Sequence, residues 1–247
     1  MSLRGYKMEK TSKLAIISDI HANKYALNRF LQYIEVNFQA DKILNLGDFL
    51  HIGPHPKEVA EIIFNDKRFE NIIGNNEMIV LGKHETPQRV EPHSDWTRDQ
   101  LGEQFLEKIQ NTPISKTLII NGKKILMLHS HFYDIPGRSI QDNLLIYQGK
   151  SLEEFLRDYP KDVDIVLVGH SHEQLYISWE GKTIINPGSI SITWKPRASF
   201  CLMELDSENM NITFKNIPYD TSKLKEDYIQ RDVPHKEFLM KYFYPFL

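Results

Sequence analysis

The sequence holds one cysteine in 247 residues, Cys201. No disulfide can close within the chain, and no thiolate cluster can hold a metal. No apolar run approaches the roughly 20 residues that span a bilayer, and no signal-peptide core follows the start. Charge of one sign is missing as well. Thirty basic and 33 acidic side chains leave a formal charge of -3, with a pI near 6.4. That balance excludes a general nucleic-acid or membrane-surface binder. Cytoplasmic residence is the plain expectation. Residues 1–10 stay outside the fold reasoning, because Met1-Ser2-Leu3 reads as an added leader and Met8 as a candidate natural start.

What is present is ordinary globular composition, 41% hydrophobic and 26% charged. It suffices for one large α/β domain, taken here as residues 11–247. Lys13–Asp19 reads as a buried strand, apolar on both faces. A helix follows over about Lys24 to Phe38, with Leu27, Phe30, Leu31 and Ile34 at helical spacing. Lys42–Asp48 is a second strand, Pro56 opens a second helix, and Glu70–Ile73 is a third strand. Residues 78–116 break the alternation and predict a helical, cap-like insertion, with one amphipathic helix near Trp96 to Ile109. Asn121-Gly122 between two apolar runs predicts a two-residue hairpin. Ser151 and Glu154 form a capping box. From Gln174 the pattern turns antiparallel. The aromatic end, Met240 to Leu247, must bury on the sheet or on a second copy of the chain, so a homo-oligomer through this tail is one expectation.

The strand ends carry the chemistry. They deliver Asp19 and His21, Asp48, Asn75, His129, then His170 and His172. Open α/β sheets place their sites beyond the carboxyl ends of the strands, so these seven should converge. Residues two apart on extended backbone face one side, which suits Asp-x-His and His-x-His. Any one of them alone reads as a cap or a satisfied polar group. Burying seven together without a metal would be very costly. Nitrogen and oxygen donors without sulfur suit Mn, Fe, Zn, Ni or Co.

Asp19-Ile20-His21, Gly47-Asp48, Gly74-Asn75, His129 and Gly169-His170-Ser171-His172 resemble the calcineurin-like metallophosphoesterase superfamily, over residues 13 to about 190. The resemblance implies an α/β, four-layer αββα sandwich carrying two metal ions, with manganese or iron favoured. Carried over by position, Asp19, His21 and His172 would hold one ion. Asn75, His129 and His170 would hold the other, with Asp48 bridging both. It further implies a metal-dependent phosphodiesterase or phosphatase in which a metal-bridging hydroxide attacks phosphorus. A small-molecule phosphate ester or nucleoside polyphosphate is then the expected substrate. A non-catalytic scaffold is the rival reading, and the complete ligand set argues against it.

Two departures from the family pattern matter. Where many members have histidine after the Gly-Asn pair, this chain has Asn76. An amide can donate a hydrogen bond but cannot give up a proton near neutral pH. Asn76 is a candidate catalytic and substrate-binding residue, and His131 is the leading stand-in acid, ahead of His51 and His55. Leaving groups that need no acid should be favoured, including phosphoanhydrides. An asymmetric diadenosine tetraphosphate hydrolase is therefore the narrower alternative. The second departure is Phe49–Gly53, which lacks the Asp-Arg-Gly of the serine/threonine phosphatases. Arg138 and Arg197 are candidates for the phosphate-binding charge. Asn186-Pro187-Gly188-Ser189, with Gly47–Pro56, is similar to a bacterial subgroup of small phosphodiesterases. It predicts a turn beside the site.

Overall fold

Among the described residues the strand and helix signals resolve into sixteen elements. In a computed structural model that describes residues 11–84, 91–130 and 159–247, the first half runs β1 (Ser12–Ile17), α1 (Lys24–Asn37), β2 (Lys42–Asn45), α2 (Pro56–Asn65), β3 (Phe69–Asn71), α3 (Asn75–Val80) and α4 (Glu91–Gln110). The second half runs β4 (Ser115–Ile120), β5 (Lys123–Leu128), β6 (Ile165–Leu167), β7 (Gln174–Trp179), β8 (Lys182–Pro187), β9 (Arg197–Leu205), β10 (Met210–Pro218), α5 (Leu224–Gln230) and α6 (Lys236–Phe243). The expected insertion at 78–116 thus carries the end of α3 and the whole of α4. The Ser151 capping box lies outside the described residues.

Two mixed five-stranded sheets form, in the orders β10-β9-β1-β2-β3 and β4-β5-β6-β8-β7. β1, β2 and β3 are parallel, while β9 and β10 join antiparallel. In the second sheet β5, β6 and β8 are parallel, flanked by antiparallel β4 and β7. Asn121 and Gly122 both take positive φ, 48° and 77°, as the predicted two-residue turn between β4 and β5 requires.

Alternation along β1 builds two cores at once. Leu14 and Ile16 face the second sheet and pack with Leu44, Met127, Leu167 and Met203. Ala15 and Ile17 face the helices and pack with Leu27, Phe30 and Val59. Each fully buried side chain of this size contributes roughly 1.5–3 kcal/mol. α1 starts where Asn23 accepts from the Tyr25 and Ala26 backbone N–H groups, both at 3.2 Å, an N-cap that satisfies two otherwise orphaned donors. α4 breaks at Gly102 (φ 65°, ψ 171°). Its Leu101, Phe105 and Ile109 join the helix-side core, so α4 belongs to the outer helix layer. Among the described residues no helix is long and apolar enough to cross a membrane.

The aromatic tail packs on its own chain. Leu239 and Tyr244 are buried with Ile52, Leu224, Tyr228 and Val233, and the Tyr228 hydroxyl donates to the Ile52 carbonyl at 3.0 Å. This closes the C-terminal segment over the loop that follows Asp48. Leu239→Ala should therefore cost about 2–5 kcal/mol by cavity formation. A urea unfolding midpoint unchanged from wild type would contradict that docking.

Candidate metal centre

The loops after β1 and β2 keep pairing beyond the strands. Leu46 N donates to Ile17 O (2.9 Å), Asp19 N to Gly47 O (3.0 Å), His21 N to Asp48 O (2.9 Å) and Ala22 N to Phe49 O (2.8 Å). Gly47 (φ 95°) lies against a third loop: a Cβ there would sit 2.6 Å from Gly74 N. A Cβ on Gly74 would in turn meet Asp48 Oδ1 at 2.2 Å. Both positions need glycine because three loops meet at one point.

Donor atoms converge there in two groups. Asp19, His21 and His172 form one, and Asp48, His129 and His170 the other. Within each group the ligand atoms lie within 4.8 Å of one another. Asn75 joins the second group through Oδ1, 3.0 Å from His129 Nε2. The convergence matches expectation, but its backbone basis differs. Asp19, His21, Asp48, His170 and His172 have φ of 58°, 47°, 55°, 66° and 62°. These pairs do not lie on extended backbone; left-handed residues turn them inward. Such a conformation costs on the order of 1–3 kcal/mol per non-glycine residue and persists only where surroundings enforce it.

The donor set fits cations. Asp19 Oδ1 has no hydrogen-bond partner among the described residues. It faces His21 Nε2 at 3.5 Å and His172 Nε2 at 3.2 Å, and those two nitrogens stand 3.2 Å apart. Lone pairs pointed into so small a space need a positive charge between them. In the second group, His129 Nδ1 donates to the Leu46 carbonyl at 2.7 Å. That bond leaves Nε2 to face the site, the usual orienting device for a ligating imidazole. Nε2 lies 3.3 Å from Asp48 Oδ2. Burial pushes the His129 imidazole down, yet the Asp48 charge outweighs burial and holds it up at about 9. The same Asp48 charge would attract a cation placed between the two side chains. His170 is pushed down to about 4, first by burial and then by the charge of His129, and its Nε2 is unpartnered among the described residues. Burial acts to raise the two carboxyls, but the surrounding imidazoles, His172 at Asp19 and His129 at Asp48, hold both well below the usual range.

Glu77 is a functional residue that the sequence analysis missed. Fully buried, its Oε1 accepts from Phe49 N (2.8 Å) and Leu50 N (3.0 Å). Its Oε2 accepts from Asp48 N (2.8 Å) and Gly74 N (2.9 Å). The available signal was a glutamate three residues after the residue before α3, the second half of a capping box.

Asn76 holds Asp48. Its backbone N–H donates to Asp48 Oδ1 at 2.8 Å and its Nδ2 to Asp48 Oδ2. Its Oδ1 accepts from His51 Nδ1 at 2.8 Å, and His51 Nε2 then accepts from the Ser94 hydroxyl at 3.1 Å. Burial pushes His51 down to about 4, so it stays neutral in this chain of bonds. His55 pairs with Asp227 at 2.7 Å. Arg197 is exposed at the start of β9 and donates to the Asn216 carbonyl at 3.3 Å. His131 and Arg138 lie outside the described residues. The predicted turn at Asn186–Ser189 is instead the end of β8, with Gly188 just past it at φ 80°, and this segment props both ligand loops. Asn186 Nδ2 donates to Gly169 O (2.8 Å) and Ser171 Oγ (3.0 Å), and Ser189 Oγ donates to Asp19 O (2.9 Å). Cys201 is buried away from this chemistry, and burial pushes its thiol up to about 12.

Comparison with known proteins follows the same lines. The calcineurin-like phosphoesterase superfamily domain matches residues 13–208. Over 90% of this chain and 94% of the other, the sequence is 29% identical to an uncharacterised protein of Methanocaldococcus jannaschii. Two solved structures share the fold. A metallophosphoesterase from Sphaerobacter thermophilus aligns with a TM-score of 0.71 at 24% identity, covering 94% of this chain and 98% of the other. A hypothetical protein from Pyrococcus horikoshii aligns at 0.73 and 19% identity with the same coverage.

Glu77→Gln replaces one acceptor oxygen with an amide that faces two N–H donors. The expected loss is about 2–5 kcal/mol of stability, from buried donors left unpaired. Thermal unfolding checks it; a wild-type midpoint would contradict the role given to this carboxylate.

Proposed function

The chain belongs to the calcineurin-like phosphoesterase superfamily, and from that premise we propose that it is a metal-dependent phosphoric ester hydrolase acting on phosphodiesters of small molecules. The carrying observation is the pair of buried donor groups, Asp19, His21 and His172 beside Asp48, His129 and His170. Asp19, His21 and His172 would hold one divalent ion. Asn75, His129 and His170 would hold a second, with Asp48 shared. Bound there, two such ions supply Lewis acidity, which makes hydroxide available near neutral pH and neutralises charge on phosphoryl oxygens.

The chain's own contribution is to fix the donors. The Leu46 carbonyl sets the His129 tautomer. Asn76 donates to Asp48 from its backbone N–H and from its side-chain amide. Asn76 is thus a positioning residue, and no proton donor stands at that place. Without an acid at Asn76, the reaction depends on leaving groups that depart as stable anions. That favours aryl esters and phosphoanhydrides over alkyl esters, and it keeps an asymmetric dinucleoside tetraphosphate hydrolase as the second reading.

The test uses the protein purified with Mn²⁺. It should hydrolyse bis(p-nitrophenyl) phosphate, lose that activity with a chelator and regain it on adding Mn²⁺. Asp48→Asn should lower the rate at least about 100-fold, the scale of removing a key electrostatic group. A dimethyl phosphodiester should be turned over far more slowly than the aryl one. Full activity in Asp48→Asn, or in chelated protein, would contradict the reading.

A further inference from the structure

An amide side chain is nearly symmetric in shape but not in chemistry: its oxygen accepts and its nitrogen donates. At Asn76 the difference matters, because Nδ2 faces the Asp48 carboxylate. Flipped end for end, the same side chain would set its oxygen against carboxylate oxygens, with both residues buried. Polar groups opposed at such depth are costly. Shape does not choose between the two orientations, but a partner on the far side of the amide can. That partner is His51, itself buried, whose Nδ1 stands 2.8 Å from Asn76 Oδ1. Oδ1 has no proton to offer, so Nδ1 must carry one. Burial keeps the imidazole neutral. Nε2 is then bare, and the Ser94 hydroxyl at 3.1 Å donates to it.

We propose that His51 is a positioning residue for the metal centre: with its proton fixed on Nδ1 by Ser94, it locks the Asn76 amide with the nitrogen toward Asp48 and so holds the shared carboxylate ready for cations. The assignment rests on the metal-dependent reading above and adds a residue that contacts neither cation nor substrate. The direction of the bonds is forced from both ends. A carboxylate only accepts, so Asn76 must present its nitrogen there and its oxygen to His51. With the proton on Nε2 instead, two acceptors would meet at Asn76. The serine is held in place by α4. The residue before it, His93, accepts from Ile52 N at 3.0 Å, and the His93 and His51 rings lie 4.7 Å apart. Two consecutive residues of α4 thus grip the loop after Asp48. The helix that interrupts the strand alternation reaches the metal centre through hydrogen bonds, supplying no ligand of its own.

Two measurements test the assignment. In metal-free protein carrying ¹⁵N-histidine, long-range ¹H–¹⁵N correlation spectra should show His51 neutral and protonated on Nδ1. In Mn²⁺ titrations, His51→Leu keeps an apolar side chain of similar bulk but offers no donor. It should weaken binding about 10- to 100-fold, the scale for losing a group that orients a metal ligand. His51→Asn should recover most of that affinity, because its Nδ2 can stand where Nδ1–H stood. Packing alone predicts the opposite order, since asparagine fills less space than leucine. A proton on Nε2 would overturn the proposal. So would wild-type Mn²⁺ affinity in His51→Leu, or an equal loss in the two variants. Should His51→Leu fail to fold, the asparagine variant decides: near-wild-type affinity supports the proposal, and a loss of about tenfold or more overturns it. A wild type that takes up no Mn²⁺ would sink the metal-centre reading alone, and the tautomer would still decide the chain of bonds.

Discussion

One buried carboxylate holds the centre of this molecule together. Glu77 accepts four backbone N–H groups, from Gly74 on its own loop and from Asp48, Phe49 and Leu50 on the neighbouring one. Burial and the Asp48 charge push this carboxyl up to about 7, and the backbone N–H groups of Gly74 and Leu50 work against that by favouring its ionised form. The four bonds clamp the loop after β2 to the start of α3, and Asp48 and Asn75 lie on those two segments. Gly47 and Gly74 let the loops approach to contact. The same loop then pairs with the one carrying Asp19 and His21. Ligand placement in three loops thus depends on one side chain that need never touch a substrate.

The clamp has something to hold against. Five of the seven donor residues sit at left-handed φ, and the donor atoms they deliver repel one another when no cation is present. In the protein alone, the charge of Asp48 draws a proton onto His129, which answers part of that repulsion. Rigid surroundings preorganise the site and store the strain. The Asn186–Ser189 segment works in the same way, tying Gly169 and Ser171 on the histidine loop and Asp19 on the first.

Much of this was legible in the sequence. Strand ends are short apolar runs stopped by Gly-Asp or Gly-His, and parallel strands deliver their ends to one side, so Asp19, Asp48 and His170 could be grouped without coordinates. The backbone that aims them could not. Extended geometry was the natural expectation for Asp-x-His and His-x-His, and left-handed φ at non-glycine residues carries no local sequence signal. Glu77 was hidden for another reason: a capping box names only its bond to Gly74, while Asp48, Phe49 and Leu50 lie 27 to 29 residues away. Asn76 reads as a hydrogen-bond donor that can give up no proton. Its bonds run to Asp48 on one side and His51 on the other, and Ser94 of α4 bonds the far side of His51. A cavity at His172 was equally out of reach, since its lining joins residues 171–173, 192–194, 242, 243 and 245.

One cation per donor group is the proposed occupancy of this site. Isothermal titration of metal-stripped protein with Mn²⁺ should give two equivalents per chain in the wild type, and loss of one in His21→Ala with the other retained. Binding of fewer than two ions by the wild type, or an unchanged stoichiometry in His21→Ala, would contradict it.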